Sequence, residues 1–288
     1  MMVVIRIRAL VFFLVFFVLF PSVNLPLLAI PREPVCLTIL HTSDVHAHLL
    51  PYDCASGTSL GGYARIKAYK DALTKKNQIN LIFSSGDVFQ GTLFFRFFRG
   101  LPDIQFMNDT GYTAMALGNH EFDGGQENMI EAFSQAKFPI LSANVTFTNP
   151  RLSRLIKPST IVPVKTGQRL LRLGLIGLTD ETLFYNCPKS LLEGVQVTDA
   201  KQAARSEVQR LQSAGVDLII VLSHLGWNRD VEIAEAIPEI NGILGGHTHI
   251  FVDPPVIRQT SHGQQFLSQP GEGGRAISRI DLELTSGE

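Results

Sequence analysis

Short apolar runs alternate with stretches of helical spacing along most of this chain. Residues 35–40 form an apolar run of the kind that fills a central strand. A glycine turn at Gly61 and Gly62 then opens a helical stretch to about residue 76, with Ile66, Tyr69 and Leu73 on its inward face. Further strands are expected at 79–83, 113–117, 139–143, 170–178, 216–222 and 241–244. Helices are expected at 126–136 and at 202–214, the latter with Ala203, Val208 and Leu211 facing inward. Phe94, Phe95, Phe97 and Phe98, interleaved with Arg96 and Arg99, read as a helical core stripe with snorkelling arginines rather than a membrane-touching lid. Residues 144–168 loosen into turns and short extended pieces, and the last forty residues read as three short strands. Strands alternating with helices throughout indicate α/β layers.

Composition supports one large α/β domain over residues 35–288. The chain has 288 residues, 45% of them apolar and 18% charged, so it can bury a core and is not a disordered polymer. A net charge of −1 with no basic stripe gives no reason to expect a nucleic acid polymer as partner. Residues 1–31 stand apart from the domain as a signal peptide or N-terminal anchor. Arg6 and Arg8 precede an unbroken apolar run at 9–20, which favours a cleaved signal. The longer apolar stretch to Ile30 leaves the anchor reading open. Either way the domain is expected to be exported, to the periplasm, the cell surface or the medium. The three cysteines, Cys36, Cys54 and Cys187, leave at least one thiol unpaired, and a Cys54–Cys187 pairing stays open.

The polar residues that matter sit just beyond the strands. Asp44 and His46, Asp87, Asn119 and His120, His224, and His247 with His249 all follow predicted strands within a few residues. In α/β sheets, ligands bind beyond the carboxyl ends of the strands, so these groups can meet in one crevice. Any one of them alone would read as a turn residue or a satisfied polar group. Five such clusters at five strand ends point to a shared site. Imidazoles, carboxylates and one amide suit Zn, Mn, Co or Fe better than Ca or Mg. Two such ions sharing a carboxylate would clamp an in-line phosphoryl displacement. His41, His48 and His262 are not assigned to the site, although His48 could support it from outside. No Gly-x-Ser-x-Gly elbow or phosphate-binding P-loop offers a competing nucleophile or cradle.

The ordered set Asp44-x-His46, Gly86-Asp87, Gly118-Asn119-His120-Glu121, His224 and Gly246-His247-x-His249 resembles the calcineurin-like metallophosphoesterases. The fuller strings at 40–44, 86–91 and 118–123 are similar to the 5′-nucleotidase branch. The resemblance spans roughly residues 36–285 and implies a four-layer α/β/β/α sandwich. It implies that Asp44, His46 and His249 hold one divalent ion, that Asn119, His224 and His247 hold the other, and that Asp87 bridges them. It further implies that His120, oriented by Asp123, faces the substrate phosphate while metal-bound hydroxide attacks a phosphate monoester of nucleotide type. Glu121 is then left a structural role. The branch usually carries a C-terminal domain that grips the nucleoside. No counterpart is expected within this chain, so it is a truncated product, takes that grip from a separate substrate-binding domain, or acts as a generic phosphohydrolase, and nucleotide hydrolysis by the chain alone is expected to be poor. Phosphodiesters, nucleotide sugars and sulfur esters remain alternative substrates on the same site, and a metal-binding module without turnover is the non-enzymatic alternative.

Overall fold

Twelve strands built from these apolar runs form two stacked sheets. The computed structural model describes residues 35–53, 57, 59–74, 80–166 and 169–284. The first sheet takes β1 (Val35–Thr42), β2 (Asn80–Ser84), β3 (Ala114–Ala116), β4 (Ile140–Leu141) and β5 (Ile156–Lys157) side by side, all parallel. The second takes β6 (Ser159–Thr166), β7 (Arg169–Thr179), β8 (Leu218–His224), β9 (Gly242–Leu244), β10 (Val256–Thr260) and β11 (Gly263–Ser268), in the order β10-β11-β9-β8-β7-β6. The chain then returns as β12 (Ser278–Leu284), antiparallel to β1 on the edge of the first sheet.

Helices cover both outer faces. On the first sheet lie α1 (Tyr63–Thr74), α2 (Leu93–Phe98), α3 (Leu101–Thr110), α4 (Gln126–Phe133) and α5 (Pro150–Leu155). After α6 (Leu183–Asn186), α7 (Ala200–Ser213) and α8 (Trp227–Ala236) cover the second. Side-chain alternation along each strand explains the layering. Leu37, Ile39 and Phe83 meet Leu173, Leu175, Ile220 and Leu222 between the sheets. Their neighbours Leu40 and Ile82 face the first helical layer, and Ile219 and Val221 face the second. The sheets approach closely at Gly177, where a Cβ would collide with the backbone of Leu141.

The structure corrects several expectations. Of the four phenylalanines in and beside α2, only Phe95 is buried in the core; Phe97 and Phe98 are 71% and 52% exposed. A six-residue helix offers one buried face, too narrow for all of them. Tyr69 is exposed while Ile66 and Leu73 point inward, and on α7 it is Ala204, not Ala203, that is buried. Residues 144–166 are more regular than expected, with β5, β6, α5 and a short strand at Val145–Phe147. The expected strand start at 79 and helix end at 75–76, the segment 1–31 and Cys54 lie outside the described residues. Cys187 is a free, buried thiol. Among the described residues no helix is long and apolar enough to cross a membrane.

Candidate metal centre

Five strands deliver their carboxyl ends to one crevice. Asp44 and His46 follow β1, Asp87 follows β2, and Asn119 and His120 follow β3. His224 ends β8, and His247 and His249 follow β9. The loops are stitched together through their backbones. Asp44 N–H donates to the Gly86 carbonyl (3.0 Å), His46 N–H to that of Asp87 (3.0 Å) and Ala47 N–H to that of Val88 (2.8 Å). Asp44, His46, Asp87, His247 and His249 all adopt left-handed φ, between 48° and 74°, a region that non-glycine residues occupy at a cost.

Glu121 holds this arrangement from behind. Fully buried, it accepts the N–H groups of Asp87 (3.0 Å), Val88 (2.7 Å), Phe89 (3.2 Å) and Gly118 (2.7 Å). Burial and the nearby Asp87 carboxylate push its pKa up to about 7, and the N–H donors pull the other way. The structural role expected for Glu121 is thus a clamp between the loops after β2 and β3. Gly118 is required there because a Cβ would strike the Asp87 carboxylate.

Two groups of possible ligand atoms result, Asp44/His46/His249 and Asp87/His224/His247, each converging within 4.8 Å. Asp87 Oδ2 lies 3.0 Å from His224 Nε2 and 4.0 Å from His46 Nε2, so it faces both groups. Asn119 Oδ1 joins the second group, 3.1 Å from His224 Nε2 and 2.9 Å from His247 Nδ1. Hydrogen bonding fixes which ring nitrogens carry protons. His224 Nδ1 donates to the Ser85 carbonyl (2.6 Å), His46 Nδ1 to that of Phe89 (3.3 Å) and His249 Nδ1 to Glu272 (2.8 Å). The lone pairs of His46 Nε2 and His249 Nε2 therefore face one another at 3.1 Å, with Asp44 Oδ1 3.5 Å from the latter. His224 Nε2 likewise faces the oxygens of Asp87 and Asn119. Acceptors converging on acceptors call for a cation, so these residues fit a metal in each group. At His224 a proton can take the place of that cation: burial opposes protonation, but the carboxylates of Asp87 and Asp44 push the pKa up to about 10, so Nε2–H can donate to Asp87 until a metal displaces the proton.

This architecture has relatives. The calcineurin-like phosphoesterase family model matches residues 37–251. The chain belongs to the calcineurin-like phosphoesterase family. It is 36% identical over 254 residues to the 5′-nucleotidase of Homo sapiens, an alignment covering 84% of this chain and 43% of that protein. A 5′-nucleotidase precursor from Thermus thermophilus superimposes with a TM-score of 0.77 at 33% identity, over 87% of this chain and 54% of that one. A calcineurin-like phosphoesterase from Bacillus subtilis does so with a TM-score of 0.76 at 26% identity, over 89% and 87%. The chain spans about two-fifths of the length of the curated relatives it matches. The two sheets with outer helices are the metallophosphoesterase fold.

Beside the two groups, His120 and Asp123 form a partly exposed pair. His120 Nδ1 lies 2.8 Å from Asp123 Oδ2, and its backbone N–H donates to Asp87 Oδ1 (2.9 Å). The hydrogen bond to Asp123 raises the His120 pKa more than burial lowers it. All nine residues singled out in the sequence are thus brought together. Reading the sequence missed Glu272, the partner of His249, and Ser43, whose hydroxyl donates to the Asp44 carboxylate. It also missed Asp180, whose carboxylate lies 3.9 Å from His247 Nε2. None sits in the motif strings as a named ligand; only Ser43, adjacent to Asp44, carried a local signal. His41 is buried and bonded to Ser85, with burial pushing its pKa down to about 3. His48 bonds the Val45 carbonyl beside Tyr52, and His262 is exposed next to Ser261.

Proposed function

We propose that this chain is an exported phosphoester hydrolase that works with two divalent ions of the Zn, Mn, Co or Fe type on phosphate monoesters of nucleotide type. The observation behind the proposal is that two imidazole–carboxylate groups share the face of Asp87, with the His120–Asp123 pair alongside. Asp44, His46 and His249 would hold one ion and Asn119, His224 and His247 the other, with Asp87 within reach of both groups. When bound, such ions activate a water and polarise a phosphoryl oxygen. The protein's own residues do the rest. His120, whose protonated form the hydrogen bond to Asp123 favours, donates to a phosphoryl or leaving-group oxygen and offsets charge there. Asp123 accepts from Nδ1–H, so the additional proton of the imidazolium sits on Nε2, where a substrate oxygen can receive it. Glu121 keeps Asp87 and Gly118 in register so that neither loop relaxes.

Nucleotides are favoured as substrates because the human and Thermus relatives are 5′-nucleotidases. Export rests on Arg6, Arg8 and the apolar run at 9–20. Hydrolysis of p-nitrophenyl phosphate and of the bis-p-nitrophenyl diester, with Mn, Co or Zn added, tests the reading for wild type and Asp87→Asn. Monoester turnover that depends on metal and drops by about 100-fold or more in the variant is expected. Equal rates with and without metal, or in both proteins, would leave a binding module in its place.

A further inference from the structure

His249 differs from the other imidazoles of the centre in what holds it. His224 and His46 are oriented by backbone carbonyls, and the polar contacts of the His247 ring are with Asn119 and, at 3.9 Å, with Asp180. His249 Nδ1 instead pairs with a side chain, Glu272 Oε2, at 2.8 Å. The other oxygen of that carboxylate, Oε1, accepts from Arg275 Nη2 at 2.6 Å, while Arg275 Nε bonds the Glu272 carbonyl at 3.3 Å. The loop that carries both is stitched to the same half of the centre: Gly273 N–H donates to the Asp44 carbonyl (2.7 Å) and Gly271 N–H to that of Ile250 (3.0 Å). Gly273 has φ of +64° and no room for a Cβ beside the Tyr52 hydroxyl, so this turn of the loop requires glycine.

We propose that Glu272, braced by Arg275, is a positioning residue for one metal ion alone, the one held by Asp44, His46 and His249. The inference rests on the two-ion reading above. A carboxylate on Nδ1–H fixes the tautomer that aims Nε2 into the site and makes that nitrogen a stronger donor to a cation. Arg275 prevents the carboxylate from rotating away. Glu272 and Arg275 are each about two-fifths exposed, and ion pairs so placed add little to folding. The effect therefore falls on metal affinity rather than on stability, and it leaves the Asn119/His224/His247 ion untouched.

The test counts and titrates metal. Wild type, Glu272→Ala, Glu272→Gln and Arg275→Ala are stripped, reloaded with Mn or Zn and dialysed, and metal per chain is read by mass spectrometry and calorimetry. Glu272→Ala is expected to keep one tight ion and to bind the other about 10–100-fold more weakly. Glu272→Gln, which can still accept from Nδ1, and Arg275→Ala should lie between it and wild type. In a His249→Ala background, Glu272→Ala should change nothing further. Melting of the metal-free proteins by circular dichroism should coincide, which separates loss of an ion from loss of fold. Two ions held by Glu272→Ala with wild-type affinities would overturn the inference, and so would weakening of both ions in step. A wild-type protein that holds fewer than two ions would instead overturn the two-ion reading.

Discussion

Replacing Glu121 by glutamine tests how the centre is supported without altering any residue assigned to metal or substrate. The carboxylate accepts four backbone N–H groups, two on each oxygen: Val88 and Phe89 on Oε1, Asp87 and Gly118 on Oε2. Glutamine has the same shape but only one oxygen. Whichever way its amide is turned, two buried N–H groups lose their acceptor and face an NH₂ donor. Each such loss costs about 1–3 kcal/mol, so the substitution should cost about 2–6 kcal/mol. That is a large share of the roughly 5–15 kcal/mol typical of a domain. It corresponds to a fall in melting temperature on the order of 10 °C for a protein of this size. Urea denaturation of the metal-free protein measures the cost, and metal content after dialysis measures what happens to the centre. Because the unpaired N–H groups belong to Asp87 and its neighbours, both ions should bind more weakly. A variant within about 1 kcal/mol of wild type that keeps both ions would refute the clamp.

Two further outcomes follow from other parts of the structure. His120 has a raised pKa because of Asp123, so its protonated form persists above the ordinary value of 6.5 and is lost as pH rises through the raised value. Activity that needs the protonated ring should fall along that alkaline limb, and Asp123→Asn should shift the limb to lower pH in a kcat–pH profile; superimposable limbs would remove His120 as the proton donor. Gly177→Ala should force the sheets apart against the Leu141 backbone and cost about 1–3 kcal/mol or more in urea denaturation, with an unchanged midpoint as the contrary result.

The centre was far more legible in the sequence than its supports. Asp44, Asp87, Asn119, His224 and His247 could be grouped because strand ends place short polar strings in one crevice, whatever the distance between them along the chain. Glu272 offered no such cue. It lies in a glycine-rich turn, and its importance depends on which imidazole the turn happens to reach. Elements were hidden where periodicity was short or broken. β5 has two residues, and β6 carries Pro163, tolerated because β6 is an edge strand without a further neighbour. α8 follows the histidine-bearing end of β8 directly, so its start was masked by the motif. The α2 phenylalanines misled because composition indicates burial while a helix of that length supplies only one inward face.

The metal-free centre works against folding, and this ties the observations together. Five of the seven residues proposed to hold metal, Asp44, His46, Asp87, His247 and His249, sit in left-handed backbone conformations, each costing on the order of 1 kcal/mol or more. Its side chains also point acceptor at acceptor, as at His46 Nε2 and His249 Nε2. Neither feature improves the packing of the sheets. A bound cation would relieve the second and its binding energy would offset the first, so metal binding and stability are expected to be coupled. The Glu121 clamp and the backbone bonds from Asp44 and His46 to the loop after β2 resist collapse of the empty site. They keep the ligands apart from better hydrogen-bond partners and so hold them ready for a cation. A looser support would let the ligand side chains turn toward other partners, and affinity for a cation would fall.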